Sequence, residues 1–165
     1  MRQELTTDTV ERHIEAPPEL LYDFIADVTR TPERTPDIVR CKWIDGATGP
    51  AVGARFKSIN KQGRGPNWSN KPIVTVADPG REFSFTRTEP FAGTILWRHR
   101  FEPEGTGTRL IESYEVLKPI SAVGWFIIDT LYGMKDRQTD LRASMIASMD
   151  RVAELVEADQ SASMP

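Results

Sequence analysis

The C-terminal part of the sequence carries a long stripe of apolar residues at helical spacing, and this feature most constrains the fold. Between residues 121 and 158, apolar side chains recur every three or four positions, with an interruption near Arg137. A helix of this length has more apolar surface than it can bury alone, so it must lie against another layer. Residues 122–134 are apolar on nearly every side, so we also expect their outer side to be covered or to bind a partner.

Most of the sequence before this helix alternates apolar and polar residues, as half-buried strands do. A first strand with Val10 and Ile14 is followed by two prolines and then by helical spacing in residues 20–28, and six strand-like segments come after it. One of these segments, residues 68–77, carries a proline, so we expect it to lie at an edge of the sheet or to begin irregularly. Prolines suit a first helical turn. Strands in series, with helices at both ends, indicate an α+β fold. We predict a bent antiparallel sheet, closed at one end by two short N-terminal helices, whose concave face the C-terminal helix crosses.

The clearest pair of strands lies in residues 94–116. A hairpin that turns near Gly105 places Trp97 opposite Tyr114 and His99 opposite Glu112. A different loop length would shift this register by two residues. Alternate residues of the two strands then share one face: Ile95, Trp97, His99, Phe101, Leu110, Glu112, Tyr114 and Val116.

His99 and Glu112 are the candidate catalytic residues. A carboxylate opposite an imidazole would orient the ring, and such a pair facing a cavity could move a proton at a substrate carbon or oxygen. The alternative is a polar cross-strand pair that sets the register of the strands or binds a ligand hydroxyl.

Other reactive residue types give weaker signals. Cys41 falls on an inward position with no base near it in the sequence, so we interpret it as a small buried hydrophobe. One cysteine and two histidines without ligand spacing argue against a metal site, and we expect no cofactor. Arg87 has the parity of Phe83 and Phe85 and could reach a ligand carboxylate at a cavity mouth. The alternative is a strand-end arginine in water.

Composition narrows the classes of partner. The net charge of −3 gives no general attraction to phosphate, so nucleic acid is not expected as a partner. The sequence has no 18-residue apolar run, and its polar first ten residues do not resemble a signal peptide, so we expect no integral membrane segment. A single cysteine favours a cytoplasmic location. We expect one domain in residues 1–158, a flexible tail in residues 159–165, and a monomer or homodimer.

Several segments, in this order, resemble the polyketide cyclase/dehydrase group of the START-like (Bet v 1-like, SRPBCC) superfamily: IEAPPELLYDFIADV, GPAVGARF, DPGREFSF and GTRLIESYEV. The resemblance spans residues 8–158. It implies a helix-grip fold with a deep, mostly apolar cavity between the sheet and the last helix. Such proteins include lipid and hormone carriers, aromatase/cyclases and co-chaperone domains. One departure lies in the segment TPERTP, where the family often has a tryptophan and this sequence has Arg34.

Aromatic and methionine side chains are more numerous on inward positions than a thin core needs, which favours a pocket for a flat or flexible apolar ligand over a fully packed core. We expect a small hydrophobic ligand, lipid- or polyketide-like. The residues expected to contact it are Trp43, Phe56, Phe85, Arg87, Trp97, Tyr114, Met134 and Leu141.

Two other functions remain open at this point. One is a polyketide cyclase or aromatase that uses His99 and Glu112, with Tyr114 or Arg87 positioning an oxygen. Because such chains cyclise readily, the shape of the cavity alone could direct the reaction. The other is a protein-interaction module that docks through residues 125–132.

Overall fold

The computed structural model describes residues 5–61, 64–89, 93–132 and 136–163, and its strands form one antiparallel sheet. The strands are β1 (Thr7–Ile14), β2 (Ile38–Ile44), β3 (Arg55–Asn60), β4 (Trp68–Asn70), β5 (Ile73–Asp78), β6 (Glu82–Glu89), β7 (Gly93–Glu104) and β8 (Gly107–Lys118). The helices are α1 (Pro18–Ala26), α2 (Thr31–Arg34), α3 (Ala122–Ile127) and α4 (Arg137–Ser163), with a 3-10 turn at Val28–Arg30 and a π-helix at Ile128–Tyr132.

The strand order is β1-β8-β7-β6-β5-β3-β2, and β4 pairs with β3 beside this path. Every pairing is antiparallel. The register shifts at residues 38–40, 74–76 and 94–95, and irregularities of this kind bend and twist a strand. The predicted α+β helix-grip fold is therefore confirmed.

The hairpin of β7 and β8 has the register that alternation predicts. Trp97 pairs with Tyr114, and His99 pairs with Glu112. The strands end at the pair Glu104 and Gly107, so the turn contains two residues, of which Gly105 has a φ of 60°. Glycine adopts this left-handed conformation without the steric cost that other residues meet, so the short turn sets the register.

The N-terminal helix covers one end of the sheet. It begins at Pro18, where a missing N–H costs nothing, and it buries Leu21, Tyr22, Phe24 and Ile25. The Tyr22 ring packs edge-on against Phe83 at 6.3 Å and against Phe101 at 5.9 Å between ring centroids. These two contacts seat α1 on β6 and β7, which explains why the chain turns into a helix directly after its first strand.

One predicted strand is in fact two. Residues 68–77 were expected to form a single strand that carries a proline, but β4 ends at Asn70 and β5 begins at Ile73. Pro72 lies between them and has no N–H to donate to a neighbouring strand. Its carbonyl oxygen still accepts a hydrogen bond from the Phe56 N–H (3.2 Å). The proline therefore separates a short strand that pairs with β3 from a longer one that pairs mainly with β6.

The C-terminal helical region begins at Ala122 but is not one continuous helix. It consists of α3, the π-helix and α4, and α4 extends to Ser163, beyond the end predicted near residue 158. Ion pairs from Arg12 to Asp150 and from Arg142 to Asp8, each at 2.6 Å, join α4 to β1. The face of α4 toward the sheet buries the predicted stripe: Leu141, Met145, Met149, Val152 and Val156.

The first part of the stripe does not pack as predicted. Val123 is 57% exposed and Phe126 is 66% exposed, because α3 is a separate short helix whose outer side faces solvent. That residues 125–132 dock a partner stays a prediction. Among the helices of the described ranges, none combines the length and the apolar character that a membrane crossing requires.

Candidate functional site

A cavity of about 100 Å³ lies between the concave face of the sheet, α2 and the first half of α4. One wall is aromatic, and its rings contact one another: Phe56 lies edge-on to Phe85 at 5.2 Å, and Phe83 lies 5.9 Å from Phe85. The apolar lining residues from β3, β6, β7 and α4 are Phe56, Phe83, Phe85, Trp97, Leu141 and Met145. This wall suits a flat ring or a short alkyl chain.

The surface of the cavity is mostly apolar, as the resemblance implies, but its lining also carries polar and charged side chains. Roughly half of the lining residues are of this kind. Several of them are almost completely buried: Arg34, Ser58, Asn60, Asn70, His99, Glu112 and Ser148. A ligand of this cavity therefore meets hydrogen-bonding groups and charges as well as aromatic rings.

His99 and Glu112 face each other across β7 and β8, and both line the cavity. The distance from His99 Nε2 to Glu112 Oε1 is 3.5 Å, close enough for an ion pair but too long for a good hydrogen bond. His99 Nδ1 lies 3.3 Å from the Phe83 carbonyl oxygen, which can only accept, so Nδ1 carries a proton. Among the described residues, Nε2 has no hydrogen-bond partner.

Arg34 is a cavity residue that the sequence analysis did not assign to the site. It ends the single turn of α2, which buries only Thr31 and Arg34, and its Nη1 donates to the Ser148 Oγ at 3.2 Å. Burial lowers the pKa of Arg34, and the charge of Glu112 acts in the opposite direction. The signal in the sequence was the arginine in TPERTP, where the resembling family often has a tryptophan.

Arg87 also lines the cavity, but a carboxylate already engages it. Its Nε and Nη2 each lie 2.6 Å from Glu89 Oε1, and the side chain is 20% exposed, so it is not a strand-end arginine in water. The same Glu89 oxygen accepts a hydrogen bond from Asn70 Nδ2 (2.8 Å). This contact orients the Asn70 amide, and Asn70 Oδ1 is buried without a hydrogen-bond partner among the described residues.

Two of the expected ligand contacts do not line the cavity. Trp43 packs edge-on against Phe56 at 5.7 Å, and Tyr114 packs against Trp97 at 5.3 Å. Alternation assigns both residues to the inward face, but only contacts between elements decide which part of that face borders the cavity. Met134 lies outside the described residues. The other predicted site residues line the cavity together: Phe56, Phe85, Arg87, Trp97, His99, Glu112 and Leu141.

Cys41 is buried in the cavity wall, and burial raises the pKa of its thiol. A thiol held in its neutral form is a poor nucleophile, in keeping with the interpretation of Cys41 as a small buried hydrophobe. Within the described ranges, no three His, Cys, Asp or Glu side chains come together in a way that could hold a metal ion.

Solved structures with the same architecture include the di-domain ARO/CYC StfQ from the steffimycin biosynthetic pathway, with a TM-score of 0.74 at 14% identity over 94% of this chain. The alignment covers 52% of StfQ, so this chain spans about half the length of that protein. The major latex-like protein 151 from Panax ginseng matches with a TM-score of 0.65 at 15% identity, covering 90% of this chain and 95% of the ginseng protein. Likenesses at these identities show the fold alone.

A closer sequence likeness is to the Polyketide_cyc-like protein Cgl2372 from Corynebacterium glutamicum. The two chains are 27% identical, with a TM-score of 0.59, over 99% of this chain and 98% of that one. No curated protein matches the sequence. Residues 6–157 match the model of the family described as "Polyketide cyclase / dehydrase and lipid transport". Because this match covers nearly the whole chain, the protein belongs to the polyketide cyclase/dehydrase and lipid transport family.

Proposed function

We propose that this protein binds a small, mainly hydrophobic molecule, lipid- or polyketide-like, in the cavity between the sheet and α4. The supporting observation is that an aromatic wall and buried polar side chains line one cavity, the polar side chains including Arg34, Asn70, His99 and Glu112. A bound molecule with an apolar body and one or two polar groups would satisfy both parts of the lining.

The size of the cavity limits the ligand. An apolar cavity of about 150 Å³ admits benzene, and the cavity here has about 100 Å³. The closed protein thus accommodates a short chain or a small ring. A longer polyketide or fatty chain requires α2 or α4 to move away from the sheet.

Ligand-observed NMR with 1-butanol and phenol tests this proposal. Ser144 lines the cavity on α4, whereas its neighbour Ala143 is exposed, so Ser144→Phe and Ala143→Phe place the same ring inside and outside the cavity. We expect saturation transfer to both probes in the wild type and in Ala143→Phe, and a several-fold weaker effect in Ser144→Phe. The fluorescence of a neutral, environment-sensitive dye reports binding if α2 or α4 moves away from the sheet and opens the cavity. Failure of both small probes and of the dye to bind would overturn the proposal.

The buried His99–Glu112 pair favours a second candidate function, the cyclisation of a poly-β-ketone. Both side chains line the cavity, and a base beside the substrate is what the removal of a proton from a substrate carbon requires. Of the two residues expected to position an oxygen, Arg87 lines the cavity and Tyr114 does not. With a short poly-β-ketone as substrate, His99→Ala and Glu112→Gln should each lower turnover, and their effects should not add, since the pair acts as one unit. Additive losses would contradict a shared role.

A further inference from the structure

We propose that the ligand of this cavity is a small monocarboxylic acid whose carboxylate is held by Arg34. The inference rests on the proposed function, because it assigns a charge and an anchor to the ligand of the same cavity. The evidence for it is the surroundings of Arg34, which contacts a neutral hydroxyl, whereas Arg87 contacts a carboxylate.

Among the described residues, Arg34 is a buried cation without an anion in contact with it. The residue is 7% exposed, and its hydrogen-bond partner is the neutral hydroxyl of Ser148. Within the described ranges, no carboxylate oxygen lies within 4 Å of its guanidinium, whereas Arg87 has Glu89 at 2.6 Å. A guanidinium has five N–H donors, of which one is used here. Burying a charge in this way is costly unless a partner of opposite charge completes the site.

Among the described residues, no carboxylate serves as that partner. Glu112 acts on the charge of Arg34, but its carboxylate is paired with His99 at 3.5 Å, on the neighbouring strand. Burial lowers the pKa of Arg34 despite the opposing effect of Glu112. An anion that enters the cavity would supply the missing charge, and the unused donors of Arg34 match both oxygens of a carboxylate.

The lining favours a monoanion with an apolar body over a phosphate. Besides Arg34, the lining carries the cations Arg87 and Arg137 and the anions Asp37 and Glu112, so its charges sum to that of one cation and match a single carboxylate better than a dianion. The aromatic wall requires an apolar group on the ligand, and the volume of about 100 Å³ requires that group to be small. A short-chain acid such as butyrate meets all three conditions.

The test compares butyrate with butyramide, which has nearly the same shape and no charge, by ligand-observed NMR titration of the whole chain. In the wild type we expect butyrate to bind about tenfold more tightly than butyramide, as expected for a hydrogen-bonded charge pair. Arg34→Met should remove this preference by weakening butyrate alone. Arg40→Met, which removes an exposed arginine of β2, should leave both affinities within about twofold.

Glu112→Gln provides a test in the opposite direction. Removing the negative charge that borders the cavity should tighten butyrate several-fold and leave butyramide unchanged, a result that a merely structural role of Arg34 does not produce. This variant and the wild-type comparison need no change at Arg34, so the proposal can be tested even if Arg34→Met does not fold.

The outcomes separate this inference from the proposed function. Two results would overturn the proposal that the ligand is a carboxylic acid and leave the binding function in place. One is equal affinity of the wild type for butyrate and butyramide, and the other is binding of 1-butanol without binding of butyrate. If butyrate, butyramide, 1-butanol and the neutral dye all fail to bind, the binding function itself falls.

Discussion

Tyr114 is 1% exposed beside Trp97, and its phenolic oxygen has no hydrogen-bond partner within the described residues. Burial raises the pKa of Tyr114, so the phenol is neutral at physiological pH. A buried hydroxyl without a partner loses its hydrogen bonds to water and gains little in return. At the scale of the residue, the ring of Tyr114 stabilises the fold and its hydroxyl does not.

Tyr114→Phe should therefore leave the free energy of unfolding unchanged or raise it by up to about 1 kcal/mol. Tyr114→Ala removes the ring as well and should lower it by roughly 3–5 kcal/mol. Urea unfolding measures both variants against the wild type. A loss of more than about 1 kcal/mol in Tyr114→Phe would show that the hydroxyl has a partner in solution.

At the scale of the elements, a cluster of charges joins the end of β1 to the β7–β8 turn. His13 Nδ1 lies 2.8 Å from Glu104 Oε1, and His13 Nε2 contacts Glu15 Oε1. Thr106, in the turn, donates to Glu15 Oε2 at 2.7 Å. The hydrogen bond to Glu15, followed by that to Glu104, raises the pKa of His13, and the hydrogen bond from His13 lowers the pKa of Glu15.

These pKa directions predict a pH window for the cluster. The contribution of His13 is full below its ordinary pKa of 6.5 and is lost as the pH rises through the higher folded value. The contribution of Glu15 is full above its ordinary pKa of 4.5 and is lost as the pH falls through the lower folded value. The cluster thus stabilises the fold most between these two ordinary values.

Thermal unfolding of the wild type and of His13→Gln across pH 4–8 checks this window (about the range that both titrations span). We expect the difference in Tm to be largest near pH 5–6 (roughly midway between the ordinary values) and to shrink toward higher pH. Because the cluster is exposed, added salt should reduce the difference. A difference that does not change with pH would contradict the assignment.

At the scale of the whole molecule, α4 holds the fold together by covering the sheet. Met149 on its inner side is 2% exposed, and Ile146, one turn earlier on its outer side, is 44% exposed. Truncating a buried side chain of this size removes apolar contacts and leaves a void that the surroundings fill only in part.

Met149→Ala should lower the free energy of unfolding by about 2–5 kcal/mol, whereas Ile146→Ala should lower it by less than about 1 kcal/mol. Urea unfolding with an unchanged m-value is the measurement, since an unchanged slope shows that both states expose the same surface as in the wild type. Similar losses in the two variants would mean that α4 does not lie on the sheet as described.

Alternation and turn residues determine much of this protein because they act between neighbours in the chain. The antiparallel α+β class, the β7–β8 register and the pairing of His99 with Glu112 follow from side-chain parity and a two-residue turn at Gly105. The same local rules predicted an irregular strand around Pro72. They did not predict that the segment would divide into two strands.

The tertiary structure decided which inward residues border the cavity and which buried charge, among the described residues, lies away from an opposite charge. Tyr114 and Trp97 have the same parity, but only Trp97 lines the cavity, because the ring of Tyr114 packs behind it. Arg34 becomes a candidate anchor only when α4 brings Ser148, 114 positions away, against it and leaves its other donors to the cavity. Burial and the distance to an opposite charge depend on contacts between elements that are far apart in the chain, and no local pattern contains them.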